Sequence, residues 1–293
     1  HSAATEKRNI YSDELIQQIK EVENERLRQI LDLLINYIQK LSLNCIDTIG
    51  ELAAELILLL AYDHSIRQIS DLSYGFLYSR AITVRQYLHS LIGEETFERL
   101  EHKPSDKFLN GAICFTHFIK KLNDLTYEDA ISKFLGRSAA GQFKDFHPGS
   151  DLFVPVMLED QTLTYIFFEV KNRFGSSVDS NIIVASQIKP CETYFKPNSH
   201  QPIEYLDIVM CLRDQTEETS HVDSFCLENK DSEDSTNFVS NRFIIHGFKH
   251  LTKSFLTESN YEKLLTLLEA TKTFIKQNYE DQDTIDVLFE NNY

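Results

Sequence analysis

The stretch 151–171, DLFVPVMLEDQTLTYIFFEVK, constrains the fold more than any other part of the chain. Two apolar runs, 151–158 and 163–170, flank the polar trio Glu159, Asp160 and Gln161. That pattern predicts an antiparallel hairpin. Asp151 and Glu169 are equidistant from Asp160, so a turn centred there places the two carboxylates opposite each other. Side chains two apart on a strand share a face, so Lys171 joins Glu169. Two carboxylates at one point repel unless a cation or a proton joins them.

This grouping suits a hard divalent cation such as Mg2+, or Mn2+, which takes oxygen ligands and keeps several waters. Asp151 and Glu169 would supply two oxygens and the Val170 carbonyl a third. Lys171 is a compact point charge, placed to orient a water or to stabilise charge on phosphoryl oxygens. A bare E-x-K is not specific. Glu101-His102-Lys103 and Glu228-Asn229-Lys230 share the spacing, but only Glu169-Val170-Lys171 ends an apolar strand with an Asp across the hairpin. The competing interpretation is an ordinary hairpin whose rim charges form a surface ion pair.

His147-Pro148-Gly149-Ser150-Asp151 followed by Glu169-Val170-Lys171 resembles the PD-(D/E)XK nucleases, the restriction-endonuclease-like superfamily. Here Pro148 stands three residues ahead of Asp151 rather than beside it. The order GELAAELILLLAYD, ITVRQYLHSLIG, FTHFIK, GRSAAGQ, PGSDLFVPV and EVKNR is similar to that of large fungal proteins with a nuclease-like C-terminal domain. Those domains are similar in turn to the nuclease-like domains of Crinkler-type effectors. The resemblance covers roughly residues 45–255. It implies a metal-dependent nuclease acting on DNA, in the setting of an effector or toxin.

Glu51 and Glu55 lie four apart on a helix that is otherwise apolar, and either carboxylate wants a reason to be there. A first-turn acid at the helix dipole would explain Glu51 without any function. In the resembled superfamily a helix ahead of the catalytic sheet donates a Glu to the metal, and on that resemblance Glu51 is preferred. The resemblance thus implies Glu51, Asp151, Glu169 and Lys171 as the catalytic set. Metal ligands would be Glu51, Asp151, Glu169 and the Val170 carbonyl. Asn172, Arg173 and Gln187 are the candidate substrate contacts.

The expected fold is α/β: a restriction-endonuclease-like mixed sheet flanked by helices, with a helical N-terminal part and a helical insertion. Residues 1–44 are read as an amphipathic helix and 45–276 as the nuclease-like domain. Within it, 64–140 is the helical insertion, including a helix from FTHFIK with His117 in the core. Residues 213–241 are an acidic loop and 277–293 an acidic tail. Apolar strands are expected at 205–212 and 242–248, helices at 127–135, 180–191 and 261–276.

A net charge of −16 is the reverse of the basic face that a nucleic-acid binder usually presents. It favours a rival class: a non-catalytic module keeping the nuclease fold and binding a protein or nucleic acid. A protein partner would use the N-terminal helix or the acidic loop. The five cysteines contain no C-x-x-C pair and read as reduced, mostly buried thiols of an intracellular protein, nuclear or cytoplasmic. The histidines do not fall in zinc-ligand spacing. No apolar run is long enough to span a membrane. Walker, G-x-G-x-x-G and nucleophile-elbow motifs are absent.

Overall fold

A strand that is apolar along its whole length must be covered on both faces. LTYIFFEVK is such a run, and it becomes the middle of a mixed sheet. The computed structural model describes residues 21–22, 25–33, 35–36, 46–69, 81–122, 133–144, 150–171, 203–212, 221–228, 238–247 and 255–266. The expected helix at 180–191, most of that at 127–135 and the acidic tail lie outside them. The chain divides into two units, one of His1–Ile49 with Leu256–Tyr293 and one of Gly50–Phe255.

In the first unit residues 25–33 and 258–266 are helical. Leu27, Leu31 and Leu264 are buried, and Lys263 pairs with Asp32.

The second unit begins with helix α1, Ile46–Ile69, of which all but the first four residues belong to it. There follow β1 (Ile82–Thr83), α2 (Val84–Ile92), α3 (Glu94–Arg99), α4 (Asp106–Leu109), β2 (Ala112–Ile113), β3 (His117–Leu122) and β4 (Ala139–Phe143). The hairpin strands are β5 (Leu152–Met157) and β6 (Leu163–Lys171), and β7 (Ile203–Cys211), β8 (His221–Glu228) and β9 (Phe238–His246) complete the sheet. The strand order is β1-β2-β5-β6-β7-β9-β8. The outer edge of β5 is shared: β2 pairs near its end, Ala112 opposite Met157, and β4 near its start, Gln142 opposite Leu152. β5 and β6 are antiparallel, β6–β7 and β7–β9 parallel, β8–β9 antiparallel. The architecture is therefore mixed α/β.

The hairpin has the expected register, with Leu152 opposite Phe168 and Met157 opposite Leu163. The turn holds it there. Leu158 N–H donates to the Thr162 carbonyl at 2.9 Å, and Asp160 accepts from Thr162 N–H at 3.0 Å. Lys107 also pairs with Asp160 at 2.7 Å. One face of the sheet buries Phe143, Phe153, Tyr165, Phe167 and Tyr205 with Phe134. Residues alternating with these, Leu152, Val154, Ile166, Phe168, Leu206 and Ile208, are fully buried on the other. α1 meets that second face where Gln142 donates to Glu51. Ala53, Ala54, Ile57, Leu58 and Ala61 of α1 are fully buried, as expected for a helix apolar on most sides.

Phe153 packs against the bare backbone of Gly141 in β4, and a Cβ there would overlap its ring. Gly141→Ala should cost about 1–3 kcal/mol through overpacking. Urea denaturation checks this, and unchanged stability would mean that the ring moves aside freely.

Four expectations are corrected. The region 64–140 is not wholly helical: β1 to β4 lie within it. FTHFIK is a strand, because Phe118 and Ile119 pair in parallel with Ala140 and Gly141. His117, expected in the core, is exposed at the start of that strand. The acidic loop 213–241 contains β8 and the first residues of β9. Its charges suit an edge strand, which is kept from pairing with other chains by polar side chains. Phe225 nonetheless packs on Val209, Cys211 and Ile244.

Candidate active site

Asp151 stands at the corner where β4, β5 and β6 meet. Its N–H donates to the Phe168 carbonyl and its carbonyl accepts from Phe143 N–H, both at 2.8 Å. Its carboxylate accepts from Val170 N–H at 2.6 Å. A charged acceptor shortens such a bond and strengthens it, so this side chain closes the hairpin where the ladder ends. The Lys171 carbonyl accepts from Leu212 N–H on the β7 side. Peptide groups alternate in direction along a strand, so the Val170 carbonyl, like its amide, is directed to the side of β5 and Asp151.

Glu169 and Lys171 share a face of β6 and form an ion pair, with side chains only 10% and 16% exposed. One Glu169 oxygen is taken by Lys171. The other is buried and, among the described residues, has no hydrogen-bond partner. A buried carboxylate oxygen without a donor is costly.

A neighbour on this face was not foreseen. Asp207 of β7 and Arg242 of β9 are cross-strand partners, and both are buried. Arg242 Nε donates to Asp207 Oδ2 at 3.0 Å, and its terminal Nη2 bonds the same oxygen. Asp207 is diagonal to Glu169 by the β6–β7 register. Burial pushes the Asp207 carboxyl up to about 6, Arg242 opposing and Glu169 adding to the rise. Among the described residues the corner thus brings together three carboxylates, Asp151, Glu169 and Asp207, and two cations, Lys171 and Arg242. The clue was in plain sight: an Asp in the middle of YLDIVMC and an Arg heading FIIH. Charges inside apolar runs need partners.

The two α1 carboxylates are held differently. Glu51 accepts from Gln142, whose register partner Leu152 follows Asp151 directly. By strand alternation Gln142 lies on the Leu152–Phe168 face, so Glu51 reaches the corner from the face opposite Glu169 and Lys171. Glu55 pairs instead with Lys120 of β3 at 3.4 Å, and burial raises its pKa against the pull of that lysine. Asn172, Arg173 and Gln187 lie outside the described residues.

A domain family of unknown function, DUF8736, matches residues 12–266. The chain belongs to this family. The match runs through both halves of the hairpin and through every described candidate residue of the DUF8736 fold. No curated protein matches the chain, and no solved structure does.

Proposed function

We propose that this chain hydrolyses phosphodiester bonds, with DNA as substrate and Mg2+ or Mn2+ as cofactor, at the Asp151–Glu169–Lys171 corner. The restriction-endonuclease-like reading of the mixed sheet is part of this proposal. The observation that carries it is the second Glu169 oxygen, buried and without a hydrogen-bond partner among the described residues, in a group where the described carboxylates outnumber the described cations. Asp151, Glu169 and the Val170 carbonyl are the all-oxygen donor set that such a cation takes. Glu51, held by Gln142 on the opposite face of the sheet, is the further carboxylate proposed on the resemblance alone. A bound cation would activate a water and polarise a phosphoryl oxygen. Asp151 is fixed in place by the Val170 amide, so it need not reorganise during the reaction. Lys171, paired with Glu169, supplies a positive charge toward the phosphoryl oxygens or holds the attacking water. Asn172, Arg173 and Gln187 are the proposed substrate contacts.

The net charge of −16 favours a second reading, a non-catalytic module that binds a protein or nucleic acid. Incubating the protein with supercoiled plasmid, single-stranded DNA and RNA separates the two. Cleavage of DNA in Mg2+ or Mn2+ that stops with EDTA is expected. No hydrolysis of any substrate in either metal would leave only the binding module.

A further inference from the structure

At the opposite end of the sheet from β1, three potential ligands from two neighbouring strands converge. His221 of β8 is the direct cross-strand partner of His246 of β9. Asp223, two residues on from His221, shares its face by alternation. Each of the three offers one ligand atom within 4.8 Å of the others, with His246 buried, Asp223 half-buried and His221 exposed. His221 Nε2 and His246 Nε2 each stand 3.3 Å from the same oxygen, Asp223 Oδ2. The two rings stack with centroids 4.3 Å apart and planes 12° apart.

We infer that His221, Asp223 and His246 form a binding site for a zinc-class divalent transition metal. The spacing suits one: donors each about 2.1 Å from a tetrahedral ion lie about 3.4 Å apart. The donor set suits one too. Two imidazoles and a carboxylate select zinc and its first-row neighbours over magnesium, which prefers oxygen. His221 is exposed and β8 ends the sheet among the described strands, so a water would complete the coordination of such an ion from that side. Metal there would clasp β8 to β9, closing the sheet edge that the acidic segment makes.

This site is separate from the phosphodiesterase reading and does not rest on it. In cross-strand register His246 lies beyond Cys211 from Lys171, two strand spacings or about 10 Å away. Histidine spacing along the sequence does not show this group, since His221 and His246 come together by strand pairing.

The test is calorimetric titration of the metal-stripped full chain with Zn2+, with a Co2+ titration followed by visible absorption. Wild type should take up one equivalent of Zn2+ that excess Mg2+ does not displace, and Co2+ should show the d–d bands of a tetrahedral nitrogen–oxygen site. His221→Ala and Asp223→Asn should each weaken that equivalent by at least about 10–100-fold, the loss seen even for groups that only support a ligand. His221 is exposed, so its removal spares the core. Zn2+ should raise the melting temperature of wild type and not of His221→Ala. Glu169→Gln should keep the zinc equivalent. Unchanged zinc affinity and stoichiometry in both His221→Ala and Asp223→Asn, or no zinc uptake by wild type, would overturn the site.

Discussion

Asp207→Ala should destabilise the protein by about 3–5 kcal/mol, the range measured when one partner of a buried ion pair is removed. Arg242 is 1% exposed and its Nε and Nη2 both bond Asp207. Without the carboxylate its guanidinium stays buried and loses both of those bonds. Arg242→Ala should cost a similar amount, because it leaves a buried carboxylate and a cavity. The paired replacement Asp207→Leu with Arg242→Met should be better tolerated than either Ala variant, since apolar side chains of similar volume replace both charges. Guanidinium denaturation of wild type, Asp207→Ala, Arg242→Ala and the double-Ala variant forms the cycle that measures their coupling. Additive losses would mean that the two residues do not act as a pair.

Asp207 also sets a pH dependence. Its carboxyl is pushed from 3.8 up to about 6. A raised folded-state pKa contributes stability that is fully present below the unfolded value and is lost as pH rises through the folded one. Wild type should therefore lose part of its stability between those two values, and the Asp207→Leu, Arg242→Met protein should lose less.

The second large effect lies in catalysis. Lys171→Ala should lower cleavage by about 100-fold or more, the loss expected when a preorganised charge is taken from a transition state. In the proposed mechanism its charge acts on water or phosphate rather than on the cation, so Mg2+ affinity should persist. Glu169→Gln and Asp151→Asn should lose both cleavage and Mg2+ binding, because each removes a proposed negative ligand. Calorimetry with Mg2+ beside the cleavage rates separates the two classes. If Lys171→Ala loses Mg2+ binding as well, its role is to hold Glu169 in place rather than to act on the substrate.

The hairpin was legible because its information is local. The polar trio at 159–161 fixes the centre of the turn, and a period of two then fixes every partner down to Leu152 and Phe168. β7 was legible because an apolar run covered on both faces is what a central parallel strand requires. β3 was not, since Phe118 and Ile119 flanked by His117 and Lys120 carry no clear helical or strand period. β8 was hidden by its acidic surroundings, where the alternation of Val222, Ser224 and Cys226 with Asp223 and Phe225 is short and weak. At the site, Asp151, Glu169 and Lys171 lie within one hairpin and could be placed by counting. Asp207 with Arg242, and His221 with His246, are joined only by pairing between strands distant in sequence or by a register no local pattern sets. The approach of Glu51 through Gln142, from the opposite face, likewise depends on where β4 docks.

The most direct measurement is single-turnover cleavage of supercoiled plasmid in Mg2+ and in Mn2+ by wild type, Asp151→Asn, Glu169→Gln and Lys171→Ala, with Arg99→Ala as the surface control. The expected result is EDTA-sensitive nicking by wild type and Arg99→Ala, reduced by about 100-fold or more in the other three. Cleavage that survives in both Asp151→Asn and Glu169→Gln would contradict the assignment and move the chemistry away from the hairpin corner.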